Sequence, residues 1–130
     1  MVTLKEVYQL NERADFQFIA QELVDYYGLR SKIKFTASAG VRGHYIPEKD
    51  TIFLKRSYSN VKELIISVLH EIQHAKDAKR LGVRKYTKLY VQAGTIAAHM
   101  GKDPYWANKW EKRAENWGKK EYRKRWKNKF

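Results

Sequence analysis

The sequence predicts one α+β domain, with a small antiparallel or mixed sheet packed on a central helix and further helices after it. Residues 14–27 and 60–82 carry apolar side chains at helical spacing, and each segment ends at a glycine. Residues 32–54 between them have β-strand patterns. No repeat, linker or low-complexity tract divides the chain, so we expect residues 1–130 to form a single domain.

The composition limits the chemistry that is available. The chain is 43% hydrophobic and 14% aromatic, which argues against disorder. It has no cysteine, which excludes disulfides, a thiolate metal site and a cysteine nucleophile. Only His, Asp and Glu side chains could therefore hold a metal ion.

The charge and the lack of long apolar runs indicate location and partners. The net charge of +13 favours nucleic acid or nucleoprotein, other polyanions or acidic protein surfaces as partners. No run approaches the roughly 20 apolar residues of a membrane span, and the N-terminus lacks the apolar core of a signal peptide. We expect a monomer in the cytoplasm, or in the host cytoplasm if a phage encodes it, without membrane contact.

The first element is predicted to be a helix from Ala14 to Tyr27, with Gly28 as its stop. Residues 32–38 then alternate charged and apolar side chains, as a strand with one solvated face does. Ala39 and Gly40 end this strand.

Residues 44–54 predict a β-hairpin. Two short β segments, 44–46 and 51–54, flank the turn-rich residues 47–50. We expect segment 51–54 to be a sheet edge near the central helix. An extended peptide could bind to such an edge as an additional strand.

The central helix is predicted between a cap at Asn60, with Glu63 three positions later, and a stop at Gly82. Its apolar residues form one stripe, and His70 and His74 lie nearly opposite that stripe. Something else must cover the two histidines, or they are ordinary surface residues of an amphipathic helix.

Two more helices and a basic tail complete the chain. Residues 87–100 predict a third helix, with Gly101 as its stop. Asp103 and Pro104 predict the start of a fourth helix. Its expected buried face consists of Trp106, Ala107, Trp110, Ala114 and Trp117. Residues 119–130 hold seven Lys or Arg against one acidic residue, which predicts a solvated basic helix or a frayed end.

The chemistry-bearing motif is His70-Glu71-Ile72-Gln73-His74 in the central helix. Two histidines four residues apart on a helix lie one turn from each other and can bind one zinc ion. Glu71 is not a ligand in such a site. It would act as the general base that takes a proton from the attacking water.

A third ligand must come from another part of the chain, because one helical turn cannot occupy three tetrahedral positions. The candidates are Glu111, Glu115, His99 and, with less support, Asp77. Glu111 lies at the margin of the apolar face of the fourth helix, whereas Glu115 points about 40° further toward solvent. We therefore favour Glu111. Asp77 could instead hydrogen-bond to one of the imidazoles.

The two histidines, followed about forty residues later by Glu111-Lys112-Arg113-Ala114, resemble the motifs of compact gluzincin peptidases, in particular the ImmA and IrrE family. Residues 43–54 are similar to the hairpin that precedes the active-site helix of that family. The resemblance implies a zincin-like minimal metalloprotease fold and one Zn²⁺ per chain. It implies that His70, His74 and Glu111 are the ligands and that Glu71 is the base.

The sequence departs from the family at Ile72-Gln73 and in its basic tail. SprT-like proteases share the motif helix but take a later histidine as third ligand, and here only His99 could serve. The metzincin pattern is excluded, because its glycine and third histidine positions hold Asp77 and Arg80.

Several side chains could stabilise the oxyanion that forms at an attacked carbonyl. The candidates are Tyr45, Tyr86, Tyr90, His44 and His99, and no spacing selects among them. Tyr45 is the residue that we name for this role.

Two functions follow from these observations. The first is zinc-dependent hydrolysis of a peptide bond in a protein substrate held along the sheet edge. The alternative is a basic nucleic-acid-binding protein with a structural or vestigial metal site. In that case Trp117, Tyr122 and Trp126, interleaved with basic residues, could stack on bases.

Overall fold

A computed structural model describes residues 4–40 and 42–130, with side chains described from residue 15 onward except at residue 41. Residues 1–3 and 41 of the predicted domain therefore lie outside the described part. The fold is α+β, as predicted, with four α-helices and a small mixed sheet. The elements in order are α1 (Leu4–Tyr26), β1 (Lys32–Phe35), β2 (Gly43–Ile46), a 3-10 turn (Pro47–Lys49), β3 (Thr51–Leu54), α2 (Val61–Leu81), α3 (Val83–His99), α4 (Lys109–Glu121) and a π-helical turn (Tyr122–Trp126). No described helix is long and apolar enough to span a bilayer.

The sheet has the strand order β1-β3-β2. Strands β2 and β3 form the predicted antiparallel hairpin, with Tyr45 opposite Ile52. Strand β1 pairs in parallel with the other side of β3, with Ile33 opposite Ile52. The prediction that residues 51–54 form a sheet edge is therefore wrong. The edge strands of the sheet are β1 and β2. The alternation of polar and apolar residues in a sequence shows which face of a strand is buried, but it does not show how many strands pair with it.

Helix α2 is the central element, and almost every side chain from Leu64 to Ala78 is buried. Its start is as predicted, since the Asn60 side chain accepts a hydrogen bond from the Glu63 amide at 2.9 Å. Helix α4 covers the helix face that carries the histidines. At the crossing, a Cβ atom on Gly118 would lie 3.4 Å from the backbone nitrogen of His70, so the glycine allows the two helices to approach closely.

Two of the other helices begin earlier than the sequence pattern predicted. Helix α1 begins at Leu4 rather than Ala14. Helix α3 begins at Val83, directly after Gly82, rather than at Thr87. The glycine has a φ of 87°, a left-handed conformation that lets one helix end and the next begin without a linker.

Helix α4 begins later than predicted. The Asp103 side chain accepts hydrogen bonds from the amides of Tyr105 and Trp106, but this arrangement closes only a turn. The N-cap of α4 is Asn108, whose side chain accepts from the Trp110 amide and donates to the Tyr90 carbonyl. Because this cap is also anchored to α3, the helix starts there, and Trp106 is 54% exposed instead of lying on the buried face.

The basic tail continues α4 as a helical turn with exposed lysines and arginines, so the prediction of a solvated basic helix is wrong only for its buried Trp126. Trp126 is buried, and its indole nitrogen donates to the Tyr27 hydroxyl at 3.0 Å. Tyr27 in turn donates to the Glu121 carboxylate at 3.1 Å. Phe130 stacks on the Trp126 ring. The end of the chain therefore packs against α1, and its lysines and arginines point outward.

We expect Trp126→Ala to lower the free energy of unfolding by about 3 kcal/mol, because it removes a large buried side chain. The matched control is Trp106→Ala, at an exposed position, which should cost less than about 0.5 kcal/mol. Urea unfolding followed by circular dichroism measures both values. Equal effects of the two substitutions would contradict the packing of the tail on α1.

Candidate metal centre

Helix α2 places His70 and His74 side by side in the protein interior. Their Nε2 atoms are 3.2 Å apart, and the two residues are 1% and 4% exposed. Histidines four positions apart share a helix face, and the cover from α4 then buries them. Two imidazole nitrogens at this separation can bind one metal ion.

Helix α4 brings Glu111 to both imidazoles. Its Oε1 atom lies 2.7 Å from Nε2 of His70 and 2.8 Å from Nε2 of His74, although the residues are 41 and 37 positions apart. The Asn108 cap sets where α4 begins, and the close crossing at Gly118 holds the helix against α2. Among the proposed third ligands, only Glu111 contacts both histidines through their Nε2 atoms.

The donor atoms fit a zinc ion. Ligand atoms about 2.0–2.1 Å from a tetrahedral zinc lie about 3.3 Å from one another. Here the three atoms are separated by 2.7, 2.8 and 3.2 Å, so an outward shift of a few tenths of an ångström gives the required spacing. Glu71 is near enough to join the group, since ligand atoms of His70, Glu71 and His74 lie within 4.8 Å of one another.

Further side chains orient the three candidate ligands. The Tyr86 hydroxyl is 2.9 Å from Nδ1 of His74, and the Tyr90 hydroxyl donates to Oε2 of Glu111. Glu115 lies on the other side of His70, with Oε2 3.5 Å from Nδ1. This position suits an outer partner of an imidazole rather than a ligand. Tyr86 and Glu115 thus lie beside the two Nδ1 atoms, and the Nε2 atoms point toward Glu111.

Asp77 and His99 lie apart from this cluster. The buried Asp77 carboxylate pairs with Arg113 at 3.2 Å and Arg80 at 3.2 Å, and no imidazole is among its partners. The prediction that Asp77 binds the metal or hydrogen-bonds to an imidazole is therefore wrong. The actual role of Asp77 is to tie α4 to α2. His99 is exposed in the last turn of α3 and neither lines the cavity described below nor contacts the cluster.

A cavity of about 250 Å³ opens beside the cluster. Strand β2 forms part of its wall, and aromatic rings line much of the rest. The lining residues are Gly43, His44, Tyr45, Pro47, Glu48, Glu71, His74, Tyr86, Thr87, Tyr90, Tyr105 and Glu111. Tyr105 was not among the residues that the sequence indicated, because it lies in the turn before α4, where no periodicity points inward.

The candidate oxyanion stabilisers are placed differently from one another. Tyr45 lines the cavity, but its hydroxyl donates to Asp50 at 2.7 Å. The ring of His44 stacks on Phe53, and its Nδ1 atom is 3.1 Å from the Ala39 carbonyl. These contacts leave Nε2 of His44 as the ring nitrogen without a described hydrogen-bond partner.

Burial and hydrogen bonding shift the pKa values of side chains in the cluster. Burial raises the pKa of Glu71 above its usual value. For His70, burial lowers the pKa, but the carboxylates of Glu111 and Glu115 outweigh it and raise the pKa to about 9. For Glu111, burial raises the pKa, and the contacts with His70 and His74 more than reverse this, so its pKa falls well below the usual range. In the metal-free protein His70 therefore carries a proton at neutral pH, and Glu111 is ionised.

Comparison with known proteins identifies no relative. No protein-family model, no curated protein and no solved structure matches the chain. The α+β architecture and the buried His70-Glu71-His74 group that could hold a metal are thus observations on this chain alone.

We expect the purified protein to bind one zinc ion, and Glu111→Gln to weaken binding by more than about 100-fold, since it removes a ligand rather than an outer partner. Glu115→Gln is the matched control one turn away and should cost about tenfold. Competition with a chromogenic chelator measures both. A larger loss of zinc affinity in Glu115→Gln than in Glu111→Gln would show that Glu115 rather than Glu111 is the third ligand.

Zinc affinity should rise with pH. Because the pKa of His70 is about 9, its proton competes with the metal at neutral pH, and this competition weakens as the pH increases. The apparent affinity should therefore increase about tenfold per pH unit from pH 7 and level off near pH 9. Calorimetry in two buffers of different ionisation enthalpy should detect about one released proton at pH 7. Equal affinity at pH 7 and pH 9 would contradict this assignment.

Proposed function

We propose that the protein is a zinc-dependent peptidase that hydrolyses a peptide bond in a protein substrate. The observation that carries this proposal is the position of Glu71. Glu71 is buried beside the three candidate ligands and lines the cavity, and its Oε2 atom has no hydrogen-bond partner among the residues that the structure describes. An unsatisfied buried carboxylate oxygen costs stability, which is understandable if the group is used in a reaction.

His70, His74 and Glu111 would hold the metal. When bound, zinc supplies Lewis acidity at the coordination position that three protein ligands leave open. Tyr86 holds the His74 ring through Nδ1, and Tyr90 holds Glu111 through Oε2, so both ligands are oriented before a metal arrives. A structural zinc site usually has four protein ligands, so three ligands beside a cavity favour catalysis over a structural role.

Glu71 would transfer the protons. As the general base, it takes a proton from the water that attacks the carbonyl carbon, and then gives that proton to the leaving amine. Its burial raises the pKa above the usual value of a glutamate, which makes the carboxylate a stronger base. Tyr45 or His44 on β2 would donate to the oxyanion, and Nε2 of His44 has no competing partner in the described structure.

Strand β2 would bind the substrate. It is a sheet edge and pairs on one side with β3, so its outer backbone groups can pair with an extended peptide. It also forms part of the cavity wall near Glu71. A peptide added along β2 would pass in front of the metal cluster, and the cavity beside it would accept one side chain. The substrate would therefore be an extended or locally unfolded protein segment.

The resemblance to the ImmA and IrrE peptidases supports the same proposal, because those enzymes use the corresponding four residues. The competing function is nucleic-acid binding with a structural metal, and the net charge of +13 is the observation in its favour. Nucleic-acid binding does not require a buried carboxylate at Glu71. The two proposals therefore differ in what they predict for this residue.

We expect Glu71→Gln to keep bound zinc and the thermal stability of the protein but to lose about 10²–10⁴-fold in turnover, because it removes the base. Release of peptides from an unfolded casein substrate, with zinc measured in the same preparation, gives both quantities. Glu22→Gln, at an exposed position on α1, is the control and should retain full activity. Full turnover in Glu71→Gln, or in zinc-free wild type, would refute the proposed function.

A further inference from the structure

The positive charge is concentrated in the second part of the chain. Residues 76–130 contain 17 Lys or Arg and five acidic residues, whereas residues 1–75 are almost balanced, with ten against nine. Within 76–130, the acidic residues of α2 and α4 are buried or half-buried: they are Asp77, Glu111, Glu115 and Glu121. Each of the four already pairs with a positive or hydrogen-bonding side chain. The outer surface of this region therefore carries more basic charge than the neighbouring carboxylates neutralise.

Six of these 17 basic residues lie on one face of α4 and the turn that follows it. At 100° per residue, its exposed basic residues fall within about a third of the helix circumference, on the side away from the buried positions. We call these the basic face: Lys109, Lys112, Arg113, Lys119, Lys120 and, in the following turn, Arg123. No acidic residue lies among them. At about 1.5 Å per residue, the face extends for roughly 20 Å.

Helix α2 extends the basic face across a groove. Lys76, Lys79 and Arg80 line this groove together with Arg113. Arg113 bridges the two helices, because its guanidinium group pairs with the buried Asp77 of α2. The groove therefore has a fixed shape set by packing, and its charges are held on two helices rather than on flexible loops.

We propose that the basic face and this groove bind the phosphate backbone of duplex DNA. Duplex DNA carries one charge per about 1.7 Å of its axis, so a rigid face of roughly 20 Å meets on the order of ten phosphates. The major groove of B-form DNA, about 12 Å wide, admits a helix whose basic side chains can contact the phosphates along the groove, whereas the major groove of duplex RNA is deep and too narrow for a helix. The chemistry is that of backbone contact without base readout.

The three aromatic residues that the sequence suggested for base stacking, Trp117, Tyr122 and Trp126, favour a duplex over a single strand. Proteins that bind single strands present exposed rings on which bases stack. In this chain Trp126 is buried, and the half-buried Trp117 ring is covered by the Lys76 ammonium group, 4.3 Å from the ring centre. Lys62 similarly lies over Tyr122, 5.6 Å from its centre. The three rings that the sequence suggested for stacking are thus occupied within the protein.

The buried apolar side of α4 argues against a membrane surface. A helix that binds at a bilayer interface inserts apolar side chains next to its basic ones. The apolar side of α4 faces the protein interior, where Trp110 and Ala114 are buried. The basic face is also on the opposite side of α4 from Glu111, so DNA bound there would leave the cavity beside the metal cluster open.

The test uses fluorescence anisotropy with a labelled 20-base-pair duplex and the full-length protein between about 50 and 200 mM salt. The variant Lys112→Gln/Lys119→Gln/Lys120→Gln removes three charges from the basic face. Its affinity should fall at least tenfold, and the slope of log Kd against log salt should decrease by about 3. The matched control is Arg30→Gln/Lys32→Gln/Lys34→Gln, which removes three exposed charges on and before β1 and should leave the slope unchanged.

Four results would overturn the proposal. The first is an equal loss of affinity in the control, since binding would then reflect net charge rather than this surface. The others are tighter binding of single-stranded DNA, of duplex RNA or of phosphatidylserine vesicles than of the DNA duplex. Addition of a zinc chelator, and the variant Glu71→Gln, should leave DNA affinity unchanged, so this test is independent of the proposed peptidase function.

Discussion

The structure depends above all on the packing of α4 against α2. Gly118 lets the two backbones approach, the Asp77–Arg113 ion pair joins the helices one or two turns away, and Glu111 near the start of α4 contacts both imidazoles. This single interface buries the histidines, supplies the third candidate ligand and sets the direction of the basic face. A change in the crossing of the two helices would alter all three features together.

Burying this cluster of ionisable side chains without a metal costs folding free energy. Two imidazoles and two carboxylates share a small buried volume, with the pKa of His70 raised and that of Glu111 lowered. The contact between a protonated His70 and an ionised Glu111 offsets part of the cost of burying them. Their arrangement, and the tyrosines that hold His74 and Glu111 from outside, resemble a ligand set kept in place for an ion. This preorganisation is the physical basis of the proposed zinc site.

The proposed peptidase site and the proposed DNA surface use opposite sides of α4. The inner side carries Glu111 toward the cavity, and the outer side carries the exposed lysines and arginines of the basic face. The net charge affects how the protein associates with partners, whereas the buried cluster determines which reaction the protein could catalyse. The two properties can therefore coexist in one small domain. Together the two proposals would make the protein a peptidase held near DNA, with its cavity open to a protein segment presented along β2.

The sequence by itself determined the features that depend on local spacing. These are the class of the fold, the hairpin, the cap at Asn60 and the placement of His70 and His74 one turn apart, because each follows from residues close together in the chain. Tertiary structure decided what depends on distant partners. It made β3 the central strand by pairing it with β1, and it started α4 at Asn108 rather than Asp103 because the Asn108 side chain reaches α3. It also buried Trp126 against α1, and it alone brought Glu111 to both imidazoles across 37 and 41 positions of sequence, a contact that helical periodicity could favour but not establish.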